Sequence, residues 1–212
     1  PDFEEEDVLP TLTTKAIDFV QARSVDAKAG KPFFLYLPLA SPHTPIAPTK
    51  DWQGKSGLNY YADFVMQTDH SLGLILAELD RLGIADNTLV VLTSDNGCSP
   101  QADFPELLSK GHNPSHLFRG HKADIFEGGH HIPFIVRWPG VFQAGLISDQ
   151  MINTTDIFAT VASIVGFKLK DADARDSYDM LPAMLGTHVV KSSIRPHLLT
   201  QNFRGEFQIR QG

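Results

Sequence analysis

The chain has 212 residues, of which 42% are hydrophobic and 20% charged, and it carries a formal net charge of −7. This length and composition are sufficient for one substantial hydrophobic core. The acidic balance, with a pI near 5.6, argues against a nucleic-acid-binding protein. No uninterrupted apolar run reaches the length of about 18 residues expected of a membrane-spanning helix, and a single cysteine, Cys98, cannot form an internal disulfide.

The hydrophobic pattern predicts helices alternating with strands. In chain order we predict a helix from Thr11 to about Ala29, a strand from Phe33 to Leu39, a helix from Leu58 to Leu82, a strand from Thr88 to Ser94, a long loop region over residues 98–131, a strand from Pro133 to Arg137, a helix from Thr155 to Val165 and a short strand from His197 to Thr200. Strands separated by helices indicate a largely parallel α/β sheet. A loop as long as 98–131 in a compact domain is usually functional.

The strand that ends near Ser94 leads directly into Asp95-Asn96-Gly97. In open α/β sheets ligands bind at the carboxyl ends of the strands. A carboxylate and an amide oxygen at such a place are suitable ligands for a hard cation such as calcium or magnesium. An isolated Asp-Asn-Gly is more often a plain turn, so the interpretation as a metal site depends on other segments.

Two further segments carry side chains suited to chemistry. His43 stands between Pro42 and Thr44-Pro45, on a loop stiffened by the two prolines, and a histidine so held can donate a proton near neutral pH. Lys122 lies in a glycine-rich segment, residues 118–129, in which backbone N–H groups can approach an anion and the lysine supplies a positive charge.

The order and spacing of these motifs resemble the formylglycine-dependent sulfatases, the arylsulfatase-type enzymes of the alkaline-phosphatase-like superfamily. The segments that carry the resemblance are Pro42-His43-Thr44-Pro45, residues 89–97 (LVVLTSDNG), Arg119-Gly120-His121-Lys122, Glu127-Gly128-Gly129, Pro133 and Arg137-Trp138-Pro139-Gly140. The resemblance implies an alkaline-phosphatase-like α/β fold with a largely parallel central sheet flanked by helices. It also implies hydrolysis of sulfate esters, either aryl sulfates or sulfated carbohydrates.

The resemblance assigns roles to individual residues. Asp95 and Asn96 match the family's calcium ligands, His43 matches the histidine near the leaving group, and Lys122 matches the lysine that binds sulfate. His116 and His121, in the long loop, are candidate substrate contacts, although exposed polar loop residues are at least as common an explanation for them.

The chain departs from the family pattern in several places. His131 stands where the pattern Gly-Gly-x-Arg-x-Pro has arginine, and Gln201-Asn202 occupy a region where many relatives have a histidine. The nucleophile motif Cys-x-Pro-Ser-Arg is absent, because the segment that begins at Cys98 has Ala102 at the position of the arginine.

We therefore interpret residues 1–212 as part of a sulfatase catalytic domain that lacks the amino-terminal part and the small C-terminal sheet. The formylglycine would then come from the missing segment through a formylglycine-generating enzyme, and this chain alone is expected to be inactive. The family resemblance implies a periplasmic, secreted or lysosome-like compartment.

Two alternatives to a sulfatase stay open at the level of sequence. A phosphatase or phosphodiesterase of the same superfamily would use similar strand-end ligands, usually with two transition metals held by several Asp and His residues. A truncated domain without catalytic activity would retain the fold and bind or support a partner. The expected partner of the sulfatase is a sulfate ester, with no nucleic acid and no membrane span.

Overall fold

The computed structural model describes residues 3–187 and 193–211. The predicted extent of the domain, 1–212, thus includes a few positions outside the described residues. The helices are α1 (Val8–Lys28), α2 (Tyr60–Arg81), α3 (Phe104–Ser109), α4 (Glu127–His130), α5 (Asp156–Ile164) and α6 (Leu181–Met184), and the strands are β1 (Val90–Thr93), β2 (Phe134–Arg137), β3 (His197–Gln201) and β4 (Phe207–Gln211). They fall into two compact units, one formed by Pro1–Thr88 with Cys98–Leu117 and the other by Leu89–Gly97 with Phe118–Gly212.

The first unit is built on the helix pair α1 and α2. The buried face of α1 recurs every three or four residues and comprises Leu9, Thr13, Ala16, Val20 and Ser24. The helix ends before Gly30, whose φ of +82° is a left-handed conformation that glycine adopts without steric cost. At the start of α2, the side chain of Asn59 accepts a hydrogen bond from the Ala62 amide at 3.1 Å and so caps the helix.

The segment Phe33 to Leu39 does not form the predicted strand. Its side chains still alternate between half-buried and exposed positions, and Phe34 and Tyr36 are 74% and 77% exposed. A strand also needs a hydrogen-bonded neighbour, and none of the other described segments pairs with this one. Burial along the segment therefore alternates as in a strand, but no hydrogen-bonded ladder accompanies it.

In the second unit, β1 and β2 pair in antiparallel fashion, and so do β3 and β4. The prediction of largely parallel pairing is therefore wrong for the strands described here. The reason is that the chain leaves β1 and enters β2 at the same end of the sheet. Thr93 at the end of β1 therefore lies opposite Phe134 at the start of β2. The residues that follow β1 and the residues that precede β2 are brought together as a result.

The core of the second unit lies around α6. Its buried members are Met180, Ala183 and Met184, and half-buried residues from β2 and from the loops, such as Phe134 and Ile152, pack against them. Asp156 at the start of α5 is completely buried and pairs with the guanidinium of Arg195 at 2.5 Å. This ion pair fixes the segment that leads into β3.

The region 98–131, predicted as one long loop, contains the short helices α3 and α4. Asp103 precedes α3, and its carboxylate accepts a hydrogen bond from the Glu106 amide at 3.1 Å, so a local side-chain cap explains a helix that apolar periodicity did not reveal. Among the described residues, no helix is both long and apolar enough to cross a membrane.

Candidate active site

The turn after β1 presents two oxygen donors. Asp95 is exposed, and no described residue hydrogen-bonds or ion-pairs with its carboxylate. The Asn96 side-chain amide donates to the Gly97 carbonyl at 3.0 Å, while the Ser94 hydroxyl donates to the carbonyl of Asn96, also at 3.0 Å. These bonds leave the side-chain oxygen of Asn96 available beside the Asp95 carboxylate, which is the donor chemistry that a hard cation prefers.

These two ligands fit only part of a calcium shell, since calcium ordinarily takes about six to eight oxygen ligands. Within residues 3–187 and 193–211 there is no group of three or more His, Cys, Asp or Glu side chains arranged to hold a metal ion. The assignment of Asp95 and Asn96 as calcium ligands therefore stays a prediction.

Three glycines join this turn to the neighbouring loop; we call Gly97, Gly128 and Gly129 the glycine junction. The Gly97 amide donates to the Gly129 carbonyl at 2.9 Å, and the Gly128 amide donates to the Arg119 carbonyl at 2.8 Å. A Cβ atom on Gly97 would lie 1.8 Å from the Gly128 carbonyl oxygen, and one on Gly128 would lie 2.0 Å from that of Gly120. The backbones therefore touch at distances that admit no side chain.

Lys122 lies in the loop that this junction closes, residues 118–127, here called the Lys122 loop. A turn inside the loop is fixed by two hydrogen bonds, from the Asp124 amide to the His121 carbonyl at 3.0 Å and from the His121 amide to the Asp124 carboxylate at 3.1 Å. Ala123, the residue after Lys122, has a φ of +80°. Lys122 itself is half-buried, and none of the described carboxylates forms an ion pair with its ammonium group, so its charge is available to an anion.

His121, which precedes Lys122, and His43 both have defined surroundings. The Nδ1 of His121 lies 2.8 Å from the Lys122 carbonyl, and the Nδ1 of His43 lies 2.8 Å from the Thr44 carbonyl. Because a carbonyl oxygen only accepts, each Nδ1 is the protonated nitrogen. In the neutral ring of His43, Nε2 is therefore the basic atom that takes up and releases a proton.

The structure thus brings the Asp95-Asn96 turn and the Lys122 loop together within the second unit. His43 and His116 belong to the first unit, and His116 is exposed with a φ of +54°. The roles predicted for all six site residues stay predictions.

Buried polar side chains of α2 hold the loop over residues 49–56, which follows the segment of His43, and the sequence analysis missed them. Asp63 accepts hydrogen bonds from the amides of Gly54 and Ser56, both at 2.7 Å, and Gln67 accepts one from the Thr49 amide at 3.0 Å. Burial raises the pKa of Asp63, but the hydrogen bonds from Ser56 and Gly54 outweigh it and hold the pKa below its ordinary value. Asp63 and Gln67 are four residues apart and so share one face of α2. This spacing is their only signal in the sequence, and a search for apolar periodicity does not detect polar residues.

Cys98 is half-buried, and its thiol donates to the Tyr61 hydroxyl at 3.3 Å. Burial raises the pKa of this thiol by more than the hydrogen bond to Tyr61 lowers it. Since the thiolate is the reactive form, this environment favours an inert, structural cysteine.

Comparison with known proteins gives consistent similarities. The sequence model of the family described as Sulfatase matches residues 10–167. The chain is 32% identical to an N-acetylgalactosamine-6-O-sulfatase of Bacteroides thetaiotaomicron, over 99% of this chain and 40% of that protein. It is 39% identical to human steryl-sulfatase over 82% of this chain and 29% of that protein.

A solved structure from work on the metabolism of multiple glycosaminoglycans by Bacteroides thetaiotaomicron superposes with a TM-score of 0.87 at 33% identity. The superposition covers 99% of this chain and 42% of that one. The chain therefore spans less than half the length of the relatives that it matches.

Proposed function

The chain belongs to the sulfatase family and has the α/β, alkaline-phosphatase-like fold predicted for a part of such a domain, and we propose that the protein containing it hydrolyses sulfate esters of carbohydrates. The observation that carries this proposal is the glycine junction. It joins the turn that carries Asp95 and Asn96 to the backbone segment that carries Lys122, the only lysine of residues 118–129. A divalent cation and a lysine around one anion are an arrangement suited to a sulfate group.

In this proposal Lys122 binds the sulfate oxygens and stabilises the negative charge that develops on them during reaction. Its ammonium is suited to this task because no described carboxylate competes for it, and because the half-buried loop lowers the solvent screening of its charge. The fixed turn at His121 and Asp124 keeps the lysine in place before the substrate arrives.

His43 is proposed as the group that protonates the departing alcohol. Its Nδ1 is committed to the Thr44 carbonyl, which directs proton transfer to Nε2. Net hydrolysis breaks the bond between sulfur and the ester oxygen, and the alcohol leaves with one proton while water supplies the oxygen of the released sulfate.

Two groups that the family resemblance implies complete the proposal. Asp95 and Asn96 would hold calcium, which when bound neutralises sulfate charge, and a formylglycine outside this chain would supply the nucleophile. The fit of Asp95 is supported by its lack of any described partner, since a committed carboxylate would not be free to ligate.

The substrate class proposed is a 6-O-sulfated N-acetylgalactosamine within a sulfated carbohydrate. This follows the printed activity of the Bacteroides relative, which aligns with nearly the whole chain, whereas the alignment with human steryl-sulfatase leaves part of it uncovered. Release of sulfate from 6-O-sulfated N-acetylgalactosamine, compared with a steryl sulfate and a chromogenic aryl sulfate, tests the assignment in the protein that contains this chain.

Three variants separate catalysis from folding in that assay. Asp95→Ala should abolish calcium binding and sulfate release, while Asp86→Ala, the same change at an exposed aspartate, should alter neither. Asn96→Asp should retain the metal, because an oxygen ligand remains, but it should lower turnover by adding negative charge beside the sulfate. Full activity of Asp95→Ala would refute the metal assignment, and preference for the steryl sulfate would refute the substrate assignment.

A further inference from the structure

The β3–β4 hairpin contacts the Lys122 loop at two separate points. The Phe203 amide, in the hairpin turn, donates to the carbonyl of Ala123 at 3.3 Å, immediately after Lys122. At the other end of the hairpin, one guanidinium nitrogen of Arg210 lies 2.7 Å from both carboxylate oxygens of Glu127. The hairpin therefore meets the loop beside its lysine and again at its last residue.

His131 is a second residue that contacts the Lys122 loop. Its Nδ1 lies 2.9 Å from the Glu127 carboxylate, and its ring stacks on that of Phe118 with a centroid separation of 4.3 Å and an interplanar angle of 19°. Phe118 and Glu127 are the first and last residues of the Lys122 loop. A single titratable ring thus touches both ends of the loop.

We propose that the β3–β4 hairpin is a positioning element for Lys122, acting through the Arg210–Glu127 pair, and that His131 tightens this hold when it is protonated. The inference rests on the proposed function in one respect, namely that the position of Lys122 matters for binding sulfate. The mechanical part, that Arg210 and His131 hold the loop, stands on the contacts alone.

The sign of the pH effect follows from the charges around His131. Glu127 is the carboxylate that faces it from α4, and Arg210 approaches the same carboxylate from β4. Burial raises the pKa of Glu127, but the hydrogen bonds from His131 and Arg210 outweigh it and keep that pKa below its ordinary value. Glu127 is therefore ionised across the range, about pH 5 to 8, in which histidines change charge.

Apart from Lys122, the other charged groups of the loop contact partners other than His131. The Arg119 guanidinium lies 3.7 Å above the Phe126 ring, and His121 lies 3.6 Å from Asp124. When the His131 ring is uncharged, its contact with the Glu127 carboxylate is a hydrogen bond from a neutral donor and no longer an ion pair; this bond is weaker, and the hold on the loop loosens. An arginine at this position, as in the family pattern, would stay charged throughout.

Hydrogen exchange of the peptide spanning residues 118–127, in the protein that contains this chain, tests the hold directly. Arg210→Gln should accelerate exchange in this peptide by roughly three- to tenfold and lower kcat/KM by about 10- to 100-fold through displacement of Lys122. Arg204→Gln, which removes an arginine from the same hairpin, should change neither. Arg210→Lys, which keeps the charge on a shorter side chain, should fall between them.

The pH dependence is tested with two changes at one position. Exchange of the peptide, corrected for intrinsic chemical exchange, should slow from pH 8 to pH 5 in the wild type and lose this dependence in both His131→Gln and His131→Arg. His131→Arg should resemble the wild type at low pH.

Equal exchange in Arg210→Gln and Arg204→Gln would overturn the proposed hold, and an unchanged pH dependence in His131→Arg would overturn the role of His131. The exchange measurement needs no turnover. An inactive wild type would therefore contradict the proposed function, while the exchange data would still decide whether Arg210 and His131 hold the loop.

Discussion

Replacing Arg195 by methionine should destabilise the second unit strongly. Asp156 is completely buried, and it receives the guanidinium of Arg195 at 2.5 and 3.1 Å together with the amides of Asn153 and Tyr178, both at 2.8 Å. Methionine fills much of the arginine volume but leaves the carboxylate with only the two amides. Removing one partner of a buried ion pair costs about 3–5 kcal/mol, and the lost bond to the Asp176 carbonyl adds to this cost.

The prediction is measured by denaturant unfolding of the protein that contains this chain, followed by hydrogen exchange of the peptides covering α5 and β3. Arg195→Met should lower the free energy of unfolding by about 3–5 kcal/mol, with faster exchange concentrated in those peptides. Arg175→Met, the same change at an exposed arginine, should cost less than about 0.5 kcal/mol. A loss below about 1 kcal/mol for Arg195→Met, or a loss equal to that of Arg175→Met, would refute the reasoning.

Three further substitutions have defined outcomes. Asp63→Asn should lower the free energy of unfolding by about 1–3 kcal/mol, because an amide has one oxygen and cannot accept from both loop N–H groups, whereas Asp69→Asn on the exposed face of α2 should lower it little. Because the pKa of Asp63 is depressed, its contribution to stability is present above about pH 4 and is lost as the pH falls below that value. Urea unfolding at several pH values measures both effects. Gly97→Ala should force the glycine junction apart and abolish calcium binding and turnover, whereas Gly73→Ala, at an open helical position, should raise the melting temperature slightly. Lys122→Ala should lose about 2–4 kcal/mol of transition-state stabilisation, measured as kcat/KM, and Lys122→Arg should not restore it fully; wild-type kinetics for the arginine variant would make the lysine peripheral.

Local patterns in the sequence predicted the long elements well. Helices α1, α2 and α5 and strands β1 and β2 lie within a few residues of their predicted positions, because apolar periodicity and terminal glycines act over a few residues of chain. Apolar character does not mark the buried face of α2: Val65 is 41% exposed, while Asp63 and Gln67 are buried. Polar residues fill that face because loop amides satisfy them, and such partners cannot be found from one helix alone.

Pairing between distant segments was the part that sequence patterns did not predict. The antiparallel register of β1 and β2 depends on a long connection that enters β2 at the end of the sheet where it left β1. The Asp156–Arg195 pair joins residues that are 39 positions apart. Neither feature has a periodic signal. For the candidate site, the sequence placed Asp95 and Asn96 correctly at the end of a strand, but it did not predict how the Lys122 loop is held.

The glycine junction explains why the site depends on backbone more than on side chains. In the proposed site, a carboxylate and an amide face a cation while an ammonium faces the sulfate, so the two loops must approach closely. A Cβ atom on Gly97 would lie only 1.8 Å from the Gly128 carbonyl oxygen, so even one methyl group would separate the loops. Close approach leaves no side chains at the contact to fix the loops, so other parts of the unit must supply the rigidity. The Arg210–Glu127 contact and the buried Asp156–Arg195 pair that anchors the start of β3 are suited to this task. On this view, the hairpin beyond residue 167, outside the span matched by the family's sequence model, contributes to the geometry of the site without contacting the substrate.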